Sequence, residues 1–251
     1  MIFGRKNCKD NNSEKIIRFV PDSARAEQIL DPPTPAYQNL PGWYKTLSKY
    51  ITDVKCSRYP DKNASAGDTN FTAKACKPFF DSMTLGYTVT LPTDIEAVDP
   101  DIYEARMIWD SNTNMVEAHS HAQLGSLRVA EEYEMSPYKW NFHWAIQLPP
   151  GYSLFYTHPI NRFDLPFYTI SGVVDSDTYG APVNLPFYLR KDFIGKLPKG
   201  TPVAQVVPIK RESWSHEIAS VQDYDAFEVE RIKLHMGGGY SKRNWVPKKY
   251  R

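Results

Sequence analysis

Gly172-Val173-Val174-Asp175-Ser176-Asp177-Thr178-Tyr179-Gly180 is the stretch whose reading decides the fold. An apolar run enters it, two carboxylates and two glycines turn the chain, and a second apolar run at 183–189 leaves it. Asp and Gly suit turns because one hydrogen-bonds its own backbone and the other tolerates positive φ. The β-branched and aromatic residues on either side read as strands. Further on, Gly200-Thr201-Pro202-Val203-Ala204-Gln205-Val206-Val207 repeats the pattern, a permissive glycine followed by a strand.

Working outward, residues 87–91, 104–110, 115–119, 153–156, 167–174, 183–189, 203–208 and 225–233 read as strands. Residues 139–148 alternate, with Trp140, Phe142, Trp144 and Ile146 on one side, and predict a half-buried strand. Pro149-Pro150-Gly151 is a turn. Short strands at regular spacing indicate an all-β sandwich or barrel from about residue 80 to 235. Upstream, 15–20 predicts a strand and 24–30 one or two helical turns. Four prolines at 32, 33, 35 and 41 mark an extended segment. Trp43, Tyr44, Leu47, Tyr50 and Ile51 have helical spacing over 42–51. Residues 57–70 read as a loop. The expected division is an N-terminal extension over 1–75, a core over 76–235 and a flexible Gly-rich basic arm over 236–251.

The chain has 251 residues with net charge +1, 41% hydrophobic and 24% charged, the balance of a globular protein. Charge as a whole gives no case for nucleic acid or membrane binding. Twenty prolines argue against a helical bundle. Cys8, Cys56 and Cys76 are too few and too scattered for a disulfide framework or a zinc site, which points to a reducing cytoplasm. No run reads as a signal peptide or a membrane span.

The two quoted segments resemble consecutive motifs of the dUTPase family. Gly172, Val173, Val174, Asp175, Asp177 and Gly180 fall in the frame of that family's G-V-I-D-x-D-Y-x-G, with Tyr179 one place late. Gly200, Ala204 and Gln205 fall in the frame of G-x-R-I-A-Q-L. The resemblance gives Asp175 the role of activating water for pyrophosphate cleavage, a general-base task. It places Gln205 near the phosphates, with Asp177 and Tyr179 as further nucleotide contacts. Where P-R-S-G is expected, the chain has Thr157-His158-Pro159-Ile160-Asn161-Arg162. No Arg-Ser-Gly stands in frame, and Thr157, Asn161 and Arg162 are the available substitutes. Leu85-Gly86-Tyr87-Thr88-Val89 keeps the glycine of A-G-x-D-L and lacks its aspartate. Gly237-Gly238-Gly239-Tyr240-Ser241 has the composition of the family's closing arm, with Tyr240 as its aromatic residue. The implied fold is the β-clip shared by dUTPase and dCTP deaminase, and the implied assembly is a homotrimer.

Losing Arg-Ser-Gly removes charge-assisted contacts to a triphosphate. The expected role is therefore non-catalytic binding or assembly. The alternative is a dUTPase-like pyrophosphatase or deaminase-like enzyme using Asp175, with Mg²⁺ if it hydrolyses nucleotides. The plain account of the turn is two aspartates capping backbone amides. A second resemblance covers the whole chain. Thr72-Ala73-Lys74-Ala75-Cys76-Lys77-Pro78-Phe79-Phe80-Asp81-Ser82-Met83-Thr84-Leu85-Gly86-Tyr87 and Pro198-Lys199-Gly200-Thr201-Pro202-Val203-Ala204-Gln205-Val206-Val207-Pro208 are similar to a family of uncharacterised phage and bacterial proteins. That resemblance implies a viral protein located in the virion or the infected cytoplasm, with a virion or host protein as partner. A third reading is a cupin-like metal site: Glu117, His119 and His121 would share one face of a strand. The Lys210-Arg211 pair reads as a solvated charged edge, with phosphate binding as the alternative, and the basic end at Lys248, Lys249 and Arg251 offers nucleic acid only a weak, salt-dependent contact.

Overall fold

The computed structural model describes residues 15–50, 71–99, 107–109, 113–224, 227, 228, 232 and 239–251. The strands are β1 (Arg18–Pro21), β2 (Thr34–Pro35), β3 (Tyr87–Thr90), β4 (Ile95–Ala97), β5 (Met107–Trp109), β6 (Val116–Ala118) and β7 (Tyr138–Asn141). They continue with β8 (Trp144–Gln147), β9 (Tyr152–Thr157), β10 (Phe167–Thr169), β11 (Gly172–Val174), β12 (Asn184–Leu189), β13 (Gly195–Leu197) and β14 (Pro202–Lys210). The helices are short: α1 (Ala24–Ile29), α2 (Gly42–Thr46), α3 (Lys77–Thr84), α4 (His121–Leu124) and α5 (Gly239–Arg243). All strand pairings among the described residues are antiparallel, and the protein is all-β with minor helix.

Two sheets carry the core. One runs β11-β9-β14-β3-β2, the other β10-β12-β7-β6. Smaller sheets pair β13-β4-β5 and β1-β8. Leu154, Tyr156, Val203 and Val206 of the first sheet share one buried cluster with Trp140, Phe167, Leu185 and Phe187 of the second. This is sandwich packing, in which each sheet buries its apolar face against the other. Trp140 stacks on Phe187 with centroids 3.6 Å apart. Its indole N–H donates to Thr169 Oγ1 at 3.0 Å, and that hydroxyl donates to the Val203 carbonyl at 2.7 Å. A buried polar relay therefore ties the two sheets at a fixed register.

β14 lies at the centre because its sequence suits no edge. Pro202 through Val207 are all buried, the pattern of a strand covered on both faces. Pro202 opens the strand, where its missing N–H costs little. Pro208 lies beyond the last β3 pairing, Val206 with Tyr87, so no strand on that side needs its amide. Gly86, just before β3, has φ +69, and a Cβ there would stand 2.1 Å from the Val206 carbonyl oxygen. The glycine kept from the A-G-x-D-L pattern is thus a packing requirement of this sheet.

Several expectations are corrected. Residues 139–148 are two strands, β7 and β8, which belong to different sheets. Residues 167–174 likewise divide into β10 and β11, one in each large sheet. Phe227, Glu228 and Ile232 are helical, as are 221–224, so the described part of 225–233 is no strand. The helix expected over 42–51 closes at Thr46, where the Leu47 N–H bonds the Tyr44 carbonyl. α3, β4 and β13 were not anticipated. The expected loop at 57–70, Cys8 and Cys56, most of the expected strand at 104–110, and Gly237 and Gly238 lie outside the described residues.

The segment before residue 76 supplies β1 and β2, each hydrogen-bonded to a core strand, and Phe19 packs edge-on to Tyr87. At the other end, Tyr250 also packs on Tyr87, whose hydroxyl donates to the Arg251 carbonyl at 3.1 Å. Trp245 Nε1 and Lys248 Nζ both donate to Asp81 of α3, at 2.9 and 2.7 Å. Residues 245–251 thus strap across α3 and β3.

Candidate functional site

The acidic turn follows β11, which pairs with β9, Val174 opposite Leu154. That register sets Asp175 beside Ser153, whose hydroxyl donates to Asp175 Oδ1 at 2.6 Å. β14 flanks β9 on its other side and ends at Lys210 opposite Tyr152. Arg211 therefore emerges next to the turn. Its Nη1 donates to Asp175 Oδ1 at 3.2 Å and to Asp177 Oδ1 at 2.9 Å, and its Nη2 donates to Asp177 Oδ2. Asp177 Oδ2 also accepts from the Gly151 amide at 2.8 Å. The result is a forked, charge-assisted clamp. The Arg211 guanidinium, then the Gly151 amide, hold the Asp177 carboxyl down to about 2. The Asp177 side chain is 6% exposed and that of Asp175 63%. Tyr179 stands half in solvent next to Tyr156, whose phenol is pushed up by burial.

The other anticipated nucleotide contacts lie at the opposite end of the same strands. Thr157 pairs with Gln205. From Ser153 to Thr157 the strand runs roughly 13 Å, at about 3.3 Å per residue. Thr157 is buried and accepts from the Ser171 hydroxyl at 2.9 Å. Asn161, at φ 61, donates to Ser82 Oγ at 2.9 Å. Arg162 forms a two-pronged pair with Asp164, both bonds 2.9 Å. Gln205 is 1% exposed, and its oxygen accepts from the Ile160 amide at 3.0 Å. Its nitrogen donates to the Ser82 and Leu85 carbonyls at 3.0 and 2.6 Å. Gln205 is a clasp between β14, the C-terminal end of α3 and the 159–162 turn. Where the resemblance expects a phosphate, the Gln205 hydrogen-bonding groups are turned to the protein's own backbone. Tyr240, in α5, lies beside Lys248 on the α3 side. Within one chain the anticipated site thus divides into an acidic end, Asp175 and Asp177, and a Thr157–Gln205 end.

The structure does not bring the cupin-like set onto one strand face. β6 stops at Ala118, Ser120 caps α4, and His121 is its first residue, so Glu117, His119 and His121 do not share one strand face. Glu117 pairs with Lys139 at 2.7 Å, which holds its carboxyl below the usual range. Among the described residues no three His, Cys, Asp or Glu side chains converge as a metal site. His158, between the two large sheets' strand ends, stacks on Tyr168. It accepts from the Thr169 amide and bonds the Arg162 carbonyl, and burial lowers its pKa.

Sequence reasoning missed Arg211 as the partner of the turn. The usable signal was chemical: two clustered carboxylates call for a nearby cation. It also missed Lys45, Lys196 and Lys199, which the fold brings to one groove with Arg162. Lys45 is remote in sequence from Lys196 and Lys199, and the three share no motif.

No protein-family model matches the chain. No curated protein matches it either. Among solved structures, the chain is similar to native EIAV dUTPase at 14% identity, covering 54% of this chain and 82% of that one, with a TM-score of 0.30. A likeness that loose carries no argument about this protein's site or activity. No helix among the described residues is long and apolar enough to cross a membrane.

Proposed function

We propose that the protein is a non-catalytic binding or assembly protein built on an all-β scaffold. The observation that carries this reading is the Arg211 clamp. A general base needs an unencumbered carboxylate within reach of the proton it removes. Here Asp175 Oδ1 accepts from both Ser153 and Arg211, and Asp177 is enclosed by Arg211 and the Gly151 amide. Two further facts support it. Gln205 is occupied as a structural clasp, and the Thr157–Arg162 segment lies a strand's length from Asp175.

An assembly role is supported by the path of the chain after β14. Every residue from Arg211 to Tyr224 is exposed, with Trp214 at 87% and Ile218 at 92%. Large apolar side chains grouped in solvent mark an interaction surface. A homotrimer, a phage origin and a place in the virion or the infected cytoplasm rest on the sequence resemblances. The test is a panel of deoxynucleoside triphosphates with Mg²⁺, measuring pyrophosphate release by the wild type and Asp175→Ala. The expected result is no turnover by either and no nucleotide-induced thermal shift. Turnover that disappears in Asp175→Ala overturns the proposal in favour of a nucleotide hydrolase.

A further inference from the structure

We propose that the groove between the 38–45 segment, the 162–166 turn and the β13–β14 connection binds single-stranded nucleic acid. Its phosphates would lie on Lys45, Lys199 and Lys196, and its bases on Phe163 and Trp43. This names a partner for the binding role above and rests on that role only in requiring no turnover.

The groove encloses about 550 Å³ and is open to solvent, so a chain can pass through it. Lys45, Arg162, Lys196 and Lys199 line it against a single lining carboxylate, Asp164. Arg162 is held by Asp164, and Lys196 by Asp94 at 3.0 Å from outside the groove. Among the described residues the side chains of Lys45 and Lys199 form no ion pair, while Asp94 also accepts from the Lys199 backbone amide at 2.8 Å. The cations come from three separate segments, which is why a chain of net charge +1 still presents a local basic track. Long-range charge of the whole protein is small, but phosphate contacts act locally.

Phe163 is 90% exposed, between Arg162 and Asp164. The Arg162–Asp164 fork and the left-handed Asn161 fix the turn that presents it. Trp43 is 40% exposed and reaches Asp164 with its indole N–H at 3.4 Å. Trp43 thus meets the groove through the carboxylate that lines it, and Phe163 stands in solvent in the same turn, beside the lining rather than part of it. Half-buried Phe193 adds a third aromatic side chain, within the lining. A basic groove that follows the backbone, with aromatic faces on which unpaired bases stack, is how single strands are held without sequence readout. A duplex keeps its base faces stacked internally and cannot use Phe163 in this way.

The test is fluorescence anisotropy with the full chain and a labelled mixed-sequence DNA strand of about 12 nucleotides, within the span such grooves cover. Three phosphate contacts predict that affinity falls about 20-fold between roughly 50 and 200 mM salt. Phe163→Ala is expected to weaken binding roughly fivefold or more with an unchanged melting temperature. Lys45→Gln and Lys199→Gln should each reduce the magnitude of the salt slope by about 0.7. Absence of binding at low salt overturns the proposal. So does equal affinity for duplex DNA or for polyglutamate, or a Phe163→Ala variant that binds like the wild type. Displacement of the strand by a single nucleoside triphosphate at equal molar concentration also overturns it, by showing a mononucleotide site. None of these results bears on the absence of catalysis, which the pyrophosphate assay decides separately.

Discussion

Replacing Gln205 by leucine asks directly whether this residue serves the fold or a ligand. Leucine keeps the bulk of a side chain that is 1% exposed and deletes its three hydrogen bonds. The Ile160 amide then loses its acceptor inside the protein, at about 1–3 kcal/mol for an unsatisfied buried donor. The Ser82 and Leu85 carbonyls lose their donor at about 1 kcal/mol each. The sum is about 3–5 kcal/mol, a large part of the roughly 5–15 kcal/mol that holds a native protein. For a chain of this size the melting temperature should fall by about 6–20 °C. Urea unfolding followed by tryptophan fluorescence measures the loss. Gln205→Glu sharpens the question. An ionised carboxylate would face two carbonyl oxygens, so its folded pKa would rise above the unfolded value near ~4.3. The folded state then binds the extra proton, and stability should grow as pH falls through the folded pKa toward the unfolded one. A Gln205→Leu protein as stable as the wild type, or a Gln205→Glu protein whose stability ignores pH, would refute the clasp.

Gly86→Ala should cost about 2–5 kcal/mol, from positive φ and from a methyl placed against the Val206 carbonyl. Gly172→Ala, with nothing within 4 Å of the added carbon, should change the unfolding midpoint little, and a similar loss in both would contradict the packing account. His158 is depressed by burial, so the native state binds fewer protons than the unfolded chain below about pH 6.5. Stability should therefore decline as pH drops from about 7 to 5, and His158→Gln should flatten that part of the profile. Asp177 is lowered to about 2, chiefly by Arg211, so its contribution is complete above the ordinary carboxylate range and disappears as pH falls toward 2. In Arg211→Met the acid-unfolding midpoint should move to higher pH. An unchanged acid midpoint would show the clamp to be energetically idle.

The strands that carry the sandwich were legible where pattern and burial coincide. β9, β12 and β14 were expected at nearly their observed bounds, because continuous apolar runs bounded by Pro and Gly leave few other options. The errors at 139–148 and 167–174 share one physical cause. In both, the chain passes from one sheet to another within an apolar run, with no turn residue at the first break and only Ser171-Gly172 at the second. The break between β7 and β8 falls at Phe142 and His143, where the Phe142 amide bonds Val183 and the His143 carbonyl accepts from Asp22. Those partners are distant in sequence, so the local alternation continues through a change of sheet that it cannot register. α3 was missed for a related reason: Cys76-Lys77-Pro78 carries a favourable proline at its start, but the helix is short and only Met83 of it is buried.

The candidate site was legible as chemistry and illegible as geometry. Asp-x-Asp in a glycine-bounded turn looks the same whether its carboxylates activate water or bind a cation of the same chain. What separates the two is a partner many residues away, delivered by the register of β14 against β9. That register carries Gln205 to Thr157 and Lys210 to Tyr152, and so it puts the glutamine and the arginine at opposite ends of one strand. In that register Arg211 follows opposite Gly151, whose carbonyl accepts from its amide at 2.9 Å, so a slipped pairing would carry its guanidinium away from Asp177 and leave that carboxylate without its counter-ion. The buried half of β14 prevents such a slip, since moving it would expose Val203 and Val206 or bury Lys210. The core that made the fold readable is therefore also what holds Arg211 against the acidic turn.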